Sequence, residues 1–277
     1  MLGRADSCQE GKTGLRPQVI EKTDNRAAAG WHCGWGKSVI LNVGADTYRM
    51  DSRHIAELLA PFLETPPRPP AALSQAQLGQ VAAYLELLLR WNARINLTAV
   101  RDAEQMVTRH FGESLFAARV MISSQESGVR SQGPGLSVSS SFRSIDLGSG
   151  AGFPGLPIKI FAPSVALTLI ESNQKKAAFL KEVVRALGLT GVDVFAGRGE
   201  EFAATAELVT LRAVERYEQA LGVAARLVAP GGRLGLLIGA AQGVRTPKLL
   251  PGMRWSKPVA IPRSSGRVIL IGTNQAG

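Results

Sequence analysis

The chain has 277 residues, 45 % apolar and 19 % charged, enough for one or two globular domains whose core needs no metal or disulfide. Its two cysteines, Cys8 and Cys33, exclude a disulfide scaffold, a Cys-rich zinc module and a cysteine-ligated iron–sulfur cluster. The formal charge of +10 points to an anionic partner, nucleic acid or a membrane surface, and after Glu218 eight bases follow with no acid.

No run of about 18 apolar residues is present, so no membrane-spanning helix is expected. The start lacks a basic segment followed by an apolar run, so no secretory signal is expected. A cytoplasmic monomer is the simplest expectation.

Residues 1–49 mix Gly, Thr, Asn and charges without a period of 2 or 3.6, and are expected to be disordered or non-native. Within them, His32 and Cys33 are too few ligands for a metal. A more protein-like segment begins at Met50, and N-terminal sequencing of the native protein would test whether translation starts there. Residues 52–63 predict an amphipathic helix with Ile55, Leu58, Leu59 and Phe62 on one side. The run Pro66 to Pro70 ends it and forms a stiff connector. Ser74 and Gln77 then read as a capping box. Leu78, Val81, Ala82, Leu85, Leu88 and Leu89 form one apolar stripe on the helix that follows. A further helix is expected from about Ala103 to Met121, completing a helical region at 50–122.

Residues 123–141, rich in Ser and Gly, read as a flexible insertion. From Phe142 to the end the pattern changes. Apolar runs at 142–147, 165–170, 192–196, 207–211, 233–238 and 267–271 alternate with helical stretches, notably 174–187 and 215–228. Gly188 suits a C-cap for the first of these. Such alternation predicts an α/β domain with a doubly wound, mostly parallel sheet.

The first strand ends at Ile145-Asp146-Leu147, and Gly148-Ser149-Gly150-Ala151-Gly152-Phe153-Pro154-Gly155 leads into a helix. Glycines there allow a tight turn and close approach of backbone to ligand, and a helix N-terminus favours anionic or polar groups. The second strand ends at Glu171, where an acid can accept from both hydroxyls of a ribose; the alternative is that it caps the next helix. These features predict a nucleoside-containing cofactor at the C-terminal edge of the sheet. Gly150, Gly152 and Gly155 also spell GxGxxG, so a nicotinamide or flavin enzyme stays in view. The segment Leu227-Val228-Ala229-Pro230-Gly231-Gly232-Arg233-Leu234, read as a helix ending in Pro-Gly-Gly before an apolar strand, favours S-adenosylmethionine.

Longer stretches resemble one family. They are Arg90 to Val100 (RWNARINLTAV), Arg109 to Leu115 (RHFGESL), Asp146 to Gly155 (DLGSGAGFPG), Glu171 to Lys176 (ESNQKK) and Leu211 to Val214 (LRAV). Together they are similar to the bacterial 16S ribosomal RNA (guanine-N7) methyltransferases, also called glucose-inhibited division protein B, over about residues 52–240. The resemblance implies a class I, Rossmann-like S-adenosylmethionine-dependent methyltransferase with an N-terminal helical extension. It implies N7 methylation of one guanine of the small-subunit RNA. It also implies that Asp146, Gly148, Ser149, Gly150, Gly152 and Phe153 form the cofactor loop, with Glu171 and Ser172 at the ribose and Gly199 and Glu200 beside the adenine. Arg212 would stand at the mouth shared by cofactor and substrate, as the candidate catalytic residue. The chain departs from the family at Leu211 (usually Ser), Ile238 (often Lys) and Glu113 (usually Asp).

The chemistry fits the residues. Guanine N7 has an in-plane lone pair and no proton, so attack on a sulfonium methyl needs alignment rather than a base. No cysteine lies in the catalytic region for a covalent route to pyrimidine C5. No Asp/Asn-Pro-Pro-aromatic motif is present, which weighs against exocyclic-amine methylation. His110 is therefore expected to pack, and Arg212 has a structural salt bridge as its alternative role. RNA contacts are expected from Arg90, Asn92, Arg94, Asn96, Arg109, Lys175 and Lys176, although Asn92 and Asn96 would equally cap their own turn. Small ribosomal subunits are the expected partner, and no metal is expected. A same-fold enzyme on another substrate and a catalytically idle RNA-binding factor are the competing readings.

Overall fold

A computed structural model describes residues 50–122, 142–214 and 216–275. The expected extension at 1–49 and insertion at 123–141 lie outside the described residues. Helix α1 (Ser52–Glu64) is capped by Asp51 and buries Ile55, Leu59, Phe62 and Leu63; Leu58 sits half-buried at the edge of that stripe. Helix α2 (Gln75–Asn92) starts with the expected box, Ser74 N donating to Gln77 Oε1 at 2.8 Å and Gln77 N to Ser74 Oγ at 3.3 Å. Tyr84 and Leu87 are buried along with the predicted stripe, of which Leu89 stays half-buried, because α2 is covered on more than one side. The run expected from Ala103 is helical but not uniform. It comprises α3 (Ala103–Met106), a π-turn (Val107–Gly112) and α4 (Glu113–Ile122). Gly112 lets α1 close in: a Cβ there would lie 2.5 Å from the Phe62 ring.

The proline connector is fixed by a buried cation as well as by its composition. From α4, Arg119 donates to the carbonyls of Phe62 (2.7 Å), Thr65 (3.2 Å), Arg68 (2.9 Å) and Pro69 (2.7 Å). Leucine at this position would remove all four bonds and strand the buried Phe62 carbonyl away from water. Arg119→Leu is expected to cost about 3 kcal/mol or more, read as a fall in melting temperature of roughly 10 °C. A fall under about 2 °C would show that the clamp contributes little.

The sheet has eight strands: β1 (Arg143–Leu147), β2 (Ala166–Ile170), β3 (Val192–Phe195), β4 (Ala206–Arg212), β5 (Val228–Gly239), β6 (Met253–Trp255), β7 (Val259–Ala260) and β8 (Arg267–Asn274). Their order is β3-β2-β1-β4-β5-β8-β6, with β7 also on β8. Strands β1 to β5 are parallel, and β8 runs antiparallel to β5. Helices α5 (Gly155–Phe161), α6 (Gln174–Ala186), α7 (Tyr217–Leu227) and α8 (Ala240–Leu249) complete the doubly wound α/β architecture.

Successive strand residues face opposite ways, and two cores result. Helices α1 to α6 share one core with Leu167, Leu169, Leu208 and Leu237. On the other face α7 packs with Ile145, Leu147, Val209, Leu211, Leu234 and Leu236. The helical region 50–122 and the sheet thus have a core in common.

One expectation is corrected. Pro230-Gly231-Gly232 does not end a helix: α7 stops at Leu227 and β5 begins at Val228. The register shift between Ala206↔Val228 and Leu208↔Arg233 makes those residues an irregularity within the strand. Helix α8 was not anticipated, since it contains Pro247 and buries only Gly243 and Thr246.

Candidate active site

At the C-terminal edge of the sheet, where β1 lies between β2 and β4, two cavities meet. The first, of 210 Å³, is lined by Leu147, Gly148, Ile170, Ser172, Gly199, Glu200, Val214 and Val223 among others. The second, of 290 Å³, is lined by Arg109, His110, Arg212, Val214, Tyr217, Gln242 and Arg267 among others. Val214 belongs to both walls.

Of the predicted cofactor residues, Gly148, Ser172, Gly199 and Glu200 line the first cavity. The others build the loop behind it. Asp146 is buried and accepts from Thr210 Oγ1 at 2.7 Å and Gly155 N at 3.2 Å. Ser149 Oγ donates to the Asp146 carbonyl at 2.8 Å. The Glu171 carboxylate accepts from Gly150 N at 2.8 Å and Asn173 N at 2.7 Å, tying the glycine loop to the start of α6. Asn173 itself caps α6, accepting from the amides of Lys175 and Lys176. Phe153 lies in the expected loop with its ring buried, stacked on Tyr84 (5.4 Å between centroids) and His110 (5.0 Å) and edge-on to Phe111. Asp146 is also buried, bonded to β4 through Thr210 and to the loop through Gly155.

The second cavity is built around one carboxylate. Glu113 is buried and holds Arg212 Nη2 at 3.0 Å on Oε2 and Arg267 Nη2 at 2.5 Å on Oε1. Arg212 also donates to Ser114 Oγ at 3.2 Å and to the Arg109 carbonyl at 2.8 Å. The Arg109 carbonyl lies in the π-turn, as does that of His110, which accepts from Ser114 Oγ at 2.6 Å. A wider helical turn leaves carbonyls for such side-chain donors. Neither Glu113 as a shared clamp nor Arg267 as a member of the site was anticipated. The available signals were only a departure from the family pattern and one base among eight.

The RNA expectation for Asn92 is corrected. It is buried, its Oδ1 accepts from Leu97 N and Thr98 N at 3.0 Å each, and its Nδ2 donates to the Val100 carbonyl at 3.2 Å. The amide is spent on its own turn. Asn96 Oδ1 accepts from Arg101 at 3.0 Å, while Asn96, Arg90, Arg94 and Lys175 are exposed and Lys176 is half-buried. None of these five is in the wall of either cavity.

Two groups here carry shifted pKa values. Burial pushes the Asp146 carboxyl up to about 6, against the pull of Thr210 and Gly155. Burial, then the charges of Arg212, Arg109 and Arg267, push His110 from 6.5 down to about 3. His110 is therefore neutral, hydrogen-bonded to Thr98 Oγ1 at 2.7 Å. Asp146 stabilises the fold fully below its unfolded pKa of 3.8, and this is lost as pH rises through about 6. His110 contributes fully above 6.5, and its contribution is lost as pH falls toward 3. The two slopes oppose each other between them. His110→Gln is expected to gain stability relative to the parent by about 1–2 kcal/mol between pH 6.5 and pH 5. Denaturant melts at both pH values check this, and identical pH dependence would contradict it.

Among the described residues no helix is long and apolar enough to cross a membrane, and no three His, Cys, Asp or Glu gather as a metal site. Residues 77–244 match the family model described as GidB, rRNA small subunit methyltransferase G. A relative from Xylella fastidiosa (strain 9a5c), named ribosomal RNA small subunit methyltransferase G, is 38 % identical over 195 residues, covering 68 % of this chain and 82 % of its own. One of the same name from Streptococcus thermophilus (strain CNRZ 1066) is 35 % identical over 212 residues, covering 72 % and 84 %. A solved SAM-dependent methyltransferase from Aquifex aeolicus is similar at 15 % identity, covering 48 % and 82 %, with a TM-score of 0.42. On the family match and the two relatives, this chain belongs to the GidB family of small-subunit rRNA methyltransferases.

Proposed function

We propose that this chain transfers a methyl group from S-adenosylmethionine to N7 of one guanine in the 16S ribosomal RNA of the small subunit. One observation carries the reading beyond family membership: a cavity lined by Gly148 of the glycine loop and a cavity ringed by arginines share a wall at Val214.

The first cavity suits the cofactor. Leu147, Ile170 and Val223 offer apolar walls to an adenine, and Ser172 and Glu200 add polar groups. At Gly148, φ is +68°, and the absence of a Cβ leaves the backbone open to a ligand. Glu171 uses two acceptor positions on backbone amides; a carboxylate has about four, so two remain for ribose hydroxyls. When bound, S-adenosylmethionine supplies an electrophilic methyl on a sulfonium.

The chain's own residues then have a positioning task. N7 needs no deprotonation, and a neutral His110 fits a site without a general base. Arg212 lines the second cavity, two residues before the shared Val214, and is fixed through Glu113, Ser114 and the Arg109 carbonyl, where it can orient the substrate. In A-form duplexes N7 lies in a deep, narrow groove, so the target is an unpaired or splayed guanine. The exposed Arg90, Arg94, Arg109 and Lys175, with Lys176 and Asn96, are assigned to flanking RNA. Such a substrate implies a cytoplasmic enzyme.

The test is methyl transfer from labelled cofactor to small subunits lacking the modification, followed by nucleoside mass spectrometry. Labelled N7-methylguanosine is expected. Cofactor binding without transfer would favour another substrate or an idle RNA-binding protein.

A further inference from the structure

We infer that the arginine-ringed cavity is a phosphodiester subsite, in which Arg267, held by Glu113, grips the RNA backbone beside the target guanine. This rests on the rRNA reading above and adds a residue and a ligand group to it.

The first observation is charge. Arg109, Arg212 and Arg267 line this cavity, and two of them share the single carboxylate of Glu113. His110, also in the wall, is held neutral by burial and by these same cations. Three positive charges against one negative leave an excess that an anion would neutralise.

The second observation is an orphan donor. Arg267 Nη2 is on Glu113, but Arg267 Nε is closed off from water and has no hydrogen-bond partner. Buried N–H groups without an acceptor are rare, because leaving one unmade costs free energy. That buried donor is out of a ligand's direct reach, but the Arg267 side chain keeps 32 % of its surface open beside Glu113, and a guanidinium fork matches phosphate geometry.

The third is rigidity. Arg267 opens β8 directly opposite Gly239 at the end of β5, and Gly239 is itself in the cavity wall. Arg212 ends β4. Both cations therefore stand on strands rather than on loops, and Glu113 fixes their relative placement from α4.

The chemistry decides between phosphate and base. Arginine's commonest contact to guanine is bidentate, to O6 and N7. Here N7 must present its lone pair to the methyl group, so a donor placed on it would block the reaction. These arginines serve transfer best on the backbone, leaving the base edge free toward Val214. Glu113 is then a positioning residue, acting through Arg267 and Arg212.

The experiment compares the parent, Arg267→Gln, Arg267→Lys and Glu113→Gln on small subunits lacking the modification. For Arg267→Gln the expected result is KM for subunits up about tenfold, kcat within about threefold, and a binding slope against log salt smaller by about 1. Cofactor affinity by calorimetry is expected to be unchanged. Arg267→Lys keeps a charge for Glu113 but lacks the fork, so it folds and still raises KM. Glu113→Gln is expected to raise KM with the salt slope retained, because both cations remain but lose their anchor. Unchanged KM and slope in folded Arg267→Gln would overturn the subsite. A loss confined to kcat would do the same. Should the Gln variant not fold, an unchanged KM in Arg267→Lys overturns it. If the parent itself makes no N7-methylguanosine, the rRNA reading fails instead.

Discussion

Arg212→Ala is expected to lower methyl transfer at least about 100-fold while cofactor affinity stays within a few-fold, the size of effect seen when a preorganised charged donor is removed from an active site. The argument is geometric. Arg212 ends β4 and ties that strand to three groups of the helical region: Ser114, Glu113 and the Arg109 carbonyl. Removing it leaves buried Glu113 with Arg267 as its remaining ion-pair partner, and frees the π-turn that carries Arg109 and His110. The wall of the second cavity then loses its fixed placement, and a small misplacement is costly when the task is alignment. Lysine would not restore the function, since one ammonium cannot replace three directed donors. Single-turnover transfer, with calorimetry for the cofactor and a thermal melt for the fold, separates these effects. Transfer at the parent rate would remove Arg212 from the mechanism.

Gly152→Ala is expected to be the most damaging of the single-methyl changes in the loop. The backbone there has φ +90°, and a Cβ would lie 2.5 Å from Leu156 Cδ1 and against the Tyr84 hydroxyl. Tyr84 is itself committed: its hydroxyl donates to the Ala151 carbonyl and its ring stacks on Phe153. The methyl group must therefore push apart the contact that seats the loop on α2. Left-handed strain and overpacking together suggest a loss of about 3 kcal/mol, or roughly 10 °C in melting temperature. Cofactor affinity is expected to fall at least about tenfold, because Gly148 of the same loop lines the cavity proposed for it. Gly188→Ala is the control. It shares a positive φ, +61°, but a Cβ there meets nothing within 4 Å, so it should lose only about 1 kcal/mol. Equal losses at the two positions would refute the packing argument.

Much of the site's frame was legible in the sequence, and the limits have identifiable causes. The glycine loop, its flanking strand and helix, and the acid just after β2 depend on residues close together in the chain. So do the Ser74–Gln77 box and the stripe on α2. Their roles inside the site were less legible. Asp146 and Phe153 sit in the loop segment but serve its packing. Glu171 ties the loop to the start of α6 through two backbone amides. Asn92 lies in a family-like segment and spends its amide on its own turn.

The chain by itself determined the alternation of strands and helices, the cofactor loop and the family. These are written in short-range periodicity, turn chemistry and contiguous motifs. The tertiary structure alone decided which charges gather at the second cavity. Glu113 and Arg267 are 154 residues apart, and Glu113 and Arg212 are 99 apart. Their meeting depends on β8 pairing antiparallel to β5 and on α4 packing into the core that the helical region shares with the sheet. No local spacing encodes that. One base among eight in the C-terminal part becomes a member of the site only when the ladder sets it opposite Gly239. A conservative Asp-to-Glu difference becomes a clamp only when two guanidinium groups arrive from separate strands to share it.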